Sequence, residues 1–166
     1  MNLVANVPGV PSRRQQIAMT DDEVAAFLDE QRVLNVATVG PTGQPHLVAM
    51  WYAMGVDGHP SFWTFGKSQK VVNLRRDPRI TALVESGETY GELRGVELVG
   101  TARIIENFDQ IVGIGRAVAA KYQGTEAATS PEVLAFLEAQ ARKRVGVVID
   151  VEHVVSWDHT KLGGTY

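Results

Sequence analysis

Apolar and polar positions alternate with a period of two over much of the chain and switch to a helical spacing in only a few places. Thr20-Asp21-Asp22-Glu23 forms a capping box, in which the Thr hydroxyl and the Glu carboxylate each satisfy a free amide of a helix start. Val24, Phe27 and Leu28 then repeat at i, i+3, i+4, so a short helix lays one stripe on a core. Val33 to Val39 reads as a β-branched strand, Gly40-Pro41-Thr42-Gly43 as a turn, and His46 to Met54 as one returning strand. Asp57-Gly58 is a hairpin signal before a third strand, Pro60 to Phe65. Arg79 to Glu85 and Glu92 to Glu106 make strands four and five, and Arg144 to Val151 a sixth. Phe108 to Tyr122 and Pro131 to Arg144 carry helical periodicity. Antiparallel strands in this number curl on themselves to remove their edges. The expected fold is mainly β with flanking helices, a six-stranded antiparallel barrel in a single domain over 18–166, after a flexible N-terminal tail at 1–17.

Composition narrows the chemistry. The 166 residues suit one core, and a net charge of -3 gives no basic excess for nucleic acid or an anionic membrane surface. No cysteine is present, so thiolate metal sites and cysteine nucleophiles are excluded, and redox chemistry needs a borrowed cofactor. The N-terminal stretch, with Pro8, Gly9 and Pro11, is unlike a secretory signal, and no apolar run approaches a membrane span, so a cytoplasmic protein is expected. His46, His59, His153 and His159 show no paired-ligand spacing, and no metal site is expected. Gly113-Ile114-Gly115 lacks the third glycine and the preceding βαβ unit of a dinucleotide fingerprint.

The segment Gly66-Lys67-Ser68-Gln69-Lys70 joins strand three to a helix that Pro78 ends. With Ser68 as N-cap, free amides at the positive helix end stand beside a hydroxyl and two lysines, which suits a phosphate or carboxylate. The same spacing is met by an ordinary capped helix with solvated lysines. Arg142-Lys143-Arg144 poses the same choice, between a solvated surface run and contact with an acidic ligand. Arg75 and Arg76 point in different directions, and one is expected to pair with Asp77 or Glu85.

Four separated motifs bear a resemblance: Gly40-Pro41-Thr42-Gly43-Gln44-Pro45-His46, Ala49-Met50-Trp51-Tyr52-Ala53, Lys67-Ser68-Gln69-Lys70 running into Asn73-Leu74-Arg75-Arg76-Asp77-Pro78-Arg79, and Ser156-Trp157-Asp158-His159 with Lys161-Leu162-Gly163. Together they resemble the split β-barrel flavin/deazaflavin oxidoreductases related to pyridoxamine 5'-phosphate oxidase, and within them the actinobacterial FDOR-B branch that uses coenzyme F420. The resemblance implies a homodimer whose cofactor lies in a groove between protomers, with a small-molecule electron acceptor as the other partner. It assigns Lys70 to the cofactor phosphate as an exposed anion contact, with Ser68 beside it. Ala49, Met50 and Trp51 are assigned to the strand along the ring, and Thr64, Gly66, Lys67 and Gln69 to the phosphate loop. Trp157 and Lys161, in the C-terminal motif, are assigned to cofactor binding as well. The implied activity is hydride transfer from reduced deazaflavin to a quinone, enone or imine. FMN chemistry, or deazaflavin carriage without turnover, are the alternatives. Tyr52, His159, Lys161 or solvent are the candidate proton donors, and no catalytic residue is assigned.

Overall fold

A computed structural model describes residues 12–163 except Val56. The expected tail falls largely on residues 1–11, outside the described residues, and Arg13–Ile17 form a short helix, α1. Helix α2 (Asp21–Glu30) starts with the Thr20/Glu23 capping box in place and buries Phe27 and Leu28. Among the described residues no helix is long and apolar enough to cross a membrane.

The strands are β1 (Leu34–Val39), β2 (Pro45–Met50), β3 (Ala53–Met54), β4 (Pro60–Phe65), β5 (Arg79–Ser86), β6 (Arg94–Ile105) and β7 (Arg144–Asp158). They form one seven-stranded sheet in the order β2-β1-β5-β6-β7-β4-β3. Every neighbouring pair is antiparallel. The outermost strands, β2 and β3, are separated in sequence only by Trp51 and Tyr52. Seven strands laid flat would hold them about 29 Å apart, yet three residues of chain span at most about 11 Å. The sheet therefore has to curl into a half-barrel.

The single strand expected over His46–Met54 is thus two strands, and the count is seven rather than six. The break falls where the chain changes partners, from β1 to β4. It is stabilised by Tyr52, which is fully buried. Its hydroxyl donates to the Leu28 carbonyl at 2.6 Å, and its amide, freed from the ladder, donates to the Tyr122 hydroxyl at 3.1 Å.

Alternate residues of each strand fill the barrel: Leu34 and Val36, Phe62, Ile80, Ala82 and Val84, Val96 and Leu98, Val147 and Ile149. Helix α3 (Gln69–Arg76) contributes Leu74 to this core. Outside the barrel, α4 (Phe108–Gln123), α5 (Thr125–Ala128) and α6 (Pro131–Ala141) close over Trp63 in a second cluster with Ala119, Ala128 and Leu137. Helix α6 stops before the expected Arg144, which instead opens β7. That strand continues past the expected Val151 to Asp158, carrying Trp157 into the sheet.

Candidate functional site

The end of β4 and the start of α3 set the candidate site. Thr64 shares the inward face of β4 with Phe62. The chain turns at Phe65-Gly66-Lys67, and the Ser68 amide donates to the Phe65 carbonyl at 2.9 Å. Ser68 occupies the N-cap position with extended backbone, but its hydroxyl accepts no bond from the helix, contrary to the expected cap. The Ser68 Oγ is buried with no hydrogen-bond partner.

Lys70 was expected at the surface and is only 8% exposed. Its ammonium has one hydrogen-bond partner, the neutral Thr64 hydroxyl at 3.1 Å. Burial pulls its pKa below the ordinary lysine range. A buried cation facing only a hydroxyl and, two residues earlier in the chain, a buried hydroxyl facing nothing are each costly in a packed protein. Those two groups fit an anion. The next helical turn anchors them: Gln69 donates to Asn73 at 2.8 Å, and the fully buried Asn73 donates to Thr38 of β1 at 3.0 Å. Asn73 is the site residue that sequence reasoning missed. Its signal was a polar residue three positions after Lys70, beside Leu74, on the face that enters the barrel.

The outer side of the same loop is basic. Phe65, Gly66, Lys67 and Arg75 line a cleft of about 610 Å³ together with Arg142, Lys143 and Arg144. Strand pairing brings these distant segments together: Phe65 lies opposite Arg144, and the Gly66 amide donates to the Lys143 carbonyl at 3.2 Å. Arg144 is fixed by Gln140 and by the rings of Trp63 and Phe65, 4.8 and 4.4 Å from its guanidinium carbon. Arg75 pairs with Glu106 at 2.6 Å rather than with Asp77 or Glu85, and Arg142 sits over Phe108. Among the described residues the side-chain ammonium groups of Lys67 and Lys143 have no partner. The cleft thus combines a rigid basic wall with two free ammonium groups.

The remaining sequence candidates lie elsewhere. Met50 packs on the barrel core, whereas Ala49 faces out with Leu47 and Trp51, the latter two 67% and 57% exposed. Trp51 stacks on Tyr122 with ring centroids 4.3 Å apart. Trp157 covers Gly95 across the β6–β7 pair. It lies on the same strand as Arg144, about 40 Å of contour away. The Lys161 ammonium is held by Glu23 at 2.6 Å and by the Ala18 carbonyl at 2.8 Å. Trp157 and Lys161 are therefore not brought to the basic cleft of their own chain. The side-chain proton donors suggested by sequence are also engaged. Tyr52 is bonded to Leu28, and burial pushes its phenol well above the ordinary tyrosine range, while the His159 ring contacts the Tyr90 carbonyl at 2.9 Å.

The profile of the pyridoxamine 5'-phosphate oxidase family matches residues 20–158. A conserved hypothetical protein of Mycobacterium tuberculosis, Rv2991, is 43% identical over 94% of this chain and 95% of its own, with a TM-score of 0.85. A protein described as an F420 reductase shares the fold at 23% identity and a TM-score of 0.60, over 78% of this chain and 93% of its own. An FAD-binding protein of Mesorhizobium loti does so at 20% identity and 0.61, over 84% and 94%. No curated protein matches the chain in sequence.

Proposed function

The chain belongs to the pyridoxamine 5'-phosphate oxidase family, and from that premise we propose that it is a coenzyme F420-dependent reductase acting on a small conjugated acceptor of the quinone, enone or imine type. The observation that carries this choice is the basic cleft on the outer side of the loop that leads from β4 into Lys70. FMN ends in a single phosphate, for which Lys70 and Ser68 suffice. Coenzyme F420 continues from its phosphate into an acidic tail, and Lys67, Lys143 and the wall of Arg142 and Arg144 give such a tail a place to lie. When bound, the reduced cofactor supplies a hydride for an electrophilic carbon or quinone.

The chain's own work is to bind, orient and shield. Lys70 and Ser68 hold the phosphate at the helix start, and Asn73 keeps that turn seated against Thr38. Positioning of donor against acceptor accounts for a large share of the rate gain, so no nucleophile is required. With Tyr52, His159 and Lys161 engaged in other contacts, the acceptor's proton comes from solvent. The outward stripe Leu47, Ala49 and Trp51 is the face offered to a second copy, which completes a homodimer. In that dimer Trp157 of one protomer can approach the cleft of the other.

The test is turnover: the purified protein with reduced F420 and a naphthoquinone or cyclohexenone, followed by recovery of the oxidised cofactor's absorbance. The proposal expects protein-dependent oxidation with both saturable in acceptor. Tight binding of F420 with no acceptor reduced would make the protein a carrier.

A further inference from the structure

We propose that a cleft between α4 and the outer face of β3, β4, β6 and β7 is a second ligand site, which takes a small apolar molecule carrying a protonated amine. The cleft measures about 490 Å³ and is walled by Met54, Ile105, Ile114, Ala117 and Val148. That volume falls in the usual range for small-molecule sites, roughly 300–1,000 Å³. The space has a packing origin. Helix α4 is drawn onto the sheet where Gly115 meets the Trp63 ring and where Ile114 presses on Gly146. Gly113, which lines the cleft beside Ile114 and Ala117, adds no side chain, and a Cβ there would meet nothing within 4 Å, so the cleft stays open along that side of the helix.

The charges at the mouth set the ligand class. Arg103 donates to Asp150 at 2.6 Å, and its other end reaches Asp57 only at 4.0 Å. Two carboxylates around one guanidinium leave a net negative charge. The His59 ring adds a contact to the Ile149 carbonyl at 3.1 Å and lies 3.7 Å from Asp150. Asp57 accepts one further bond, from the His59 amide at 3.2 Å, and keeps acceptor capacity facing solvent. Gln110 lines the same cleft, and its side-chain amide is unpartnered among the described residues. Asp57 and Arg103 line the cleft itself, and Asp150 takes up the Nε end of Arg103, so a carboxylate entering here is repelled by Asp57 and finds the guanidinium already paired. An ammonium pairs with Asp57 while its apolar body covers Ile105, Ile114 and Val148. The cleft shares no lining residue with the basic one. Ser61 and Phe65, which mark the two along β4, are about 13 Å apart. The proposal is therefore independent of the cofactor assignment.

Benzylamine, benzyl alcohol and benzoate share a ring and differ in charge, and titrating each into the full-length protein by amide NMR tests the site. The expected result is that benzylamine shifts the amides of Ser61, Ile114, Ala117 and Val148. It should bind about three- to fivefold more tightly than benzyl alcohol, the usual scale of an exposed ion pair, with benzoate weakest. Asp57→Asn should remove the amine's advantage while the alcohol still binds. Gly113→Phe should abolish binding of all three; a Cβ at Gly113 meets nothing within 4 Å, so the helix accepts it. Ala117→Leu provides a second, smaller obstruction. Three results overturn the proposal: no shift with any probe, a preference for benzoate or parity of amine and alcohol, or binding unchanged in both obstructed variants.

Discussion

One buried and one half-buried lysine carry most of what single residues say about this protein. Lys70 spends its charge against the Thr64 hydroxyl alone, an arrangement that costs stability in the free protein and favours an incoming anion. Lys70→Met, of similar length, is expected to fold with unchanged or higher melting temperature and to bind inorganic phosphate at least about tenfold more weakly. Parallel melts and phosphate titrations check both halves. Lys121 donates to the Leu28 carbonyl at 2.8 Å and lies 3.8 Å from the Tyr52 ring centre. Burial lowers its pKa to about 8, below the unfolded value near 10.5. Between those two values the unfolded chain binds more protons at this site than the folded one, so this residue makes stability rise with pH across that window. Below about pH 8 both states are protonated and the contribution is flat. Denaturation series at pH 7.5 and pH 10 should show a gain in the parent that is reduced in Lys121→Met, the lowered pKa of Lys70 leaving a remainder in the same direction.

At the scale of elements, close backbone approaches fix the geometry of the long strands. The β6–β7 ladder shifts register between Val99 and Gly100, and a Cβ on Gly100 would lie 2.1 Å from the Asp150 carbonyl oxygen. Backbone cannot swing aside as a side chain can, so Gly100→Ala should destabilise by about 2 kcal/mol or more, read from the urea midpoint. Loss of the α2 cap in Thr20→Ala should cost about 1 kcal/mol by the same measurement. These elements also divide what is legible in the sequence from what is not. The Thr20 box, the Pro78 stop on α3 and the strand alternation are local signals and lead to the right elements. The break at Trp51-Tyr52 is not local. Alternation runs through it, and only the buried Tyr52 and its contact with Tyr122 end one strand and begin another. Likewise the spacing of the Gly66–Lys70 segment admits both an anion cradle and an ordinary capped helix, and which way Ser68 and Lys70 point depends on Thr64 and the barrel interior. Arg142-Lys143-Arg144 acquires meaning only because β4 pairs with β7, a contact between distant parts of the chain.

At the scale of the whole molecule, the curled sheet puts the Ser68–Lys70 turn and the basic cleft at the same end of β4 and leaves an apolar stripe on the outer face of β2. Sedimentation should find a dimer, and Leu47→Glu, at a 67% exposed position, should give a folded monomer with unchanged far-UV circular dichroism. Five basic residues line the cleft, largely open to solvent, so its attraction for an acidic tail should weaken steeply with ionic strength. The central claim is that this cleft selects a cofactor with such a tail. The most direct measurement is a fluorescence titration of cofactor-free protein with coenzyme F420, with its tail-less phosphate-bearing form, and with FMN, in the parent and in a Lys67→Glu/Lys143→Glu variant. The account predicts that F420 binds most tightly, that removing the tail weakens it, and that the double variant erases this difference while phosphate-end binding persists. Tighter binding of FMN than of F420, or a tail that makes no difference in the parent protein, would contradict it.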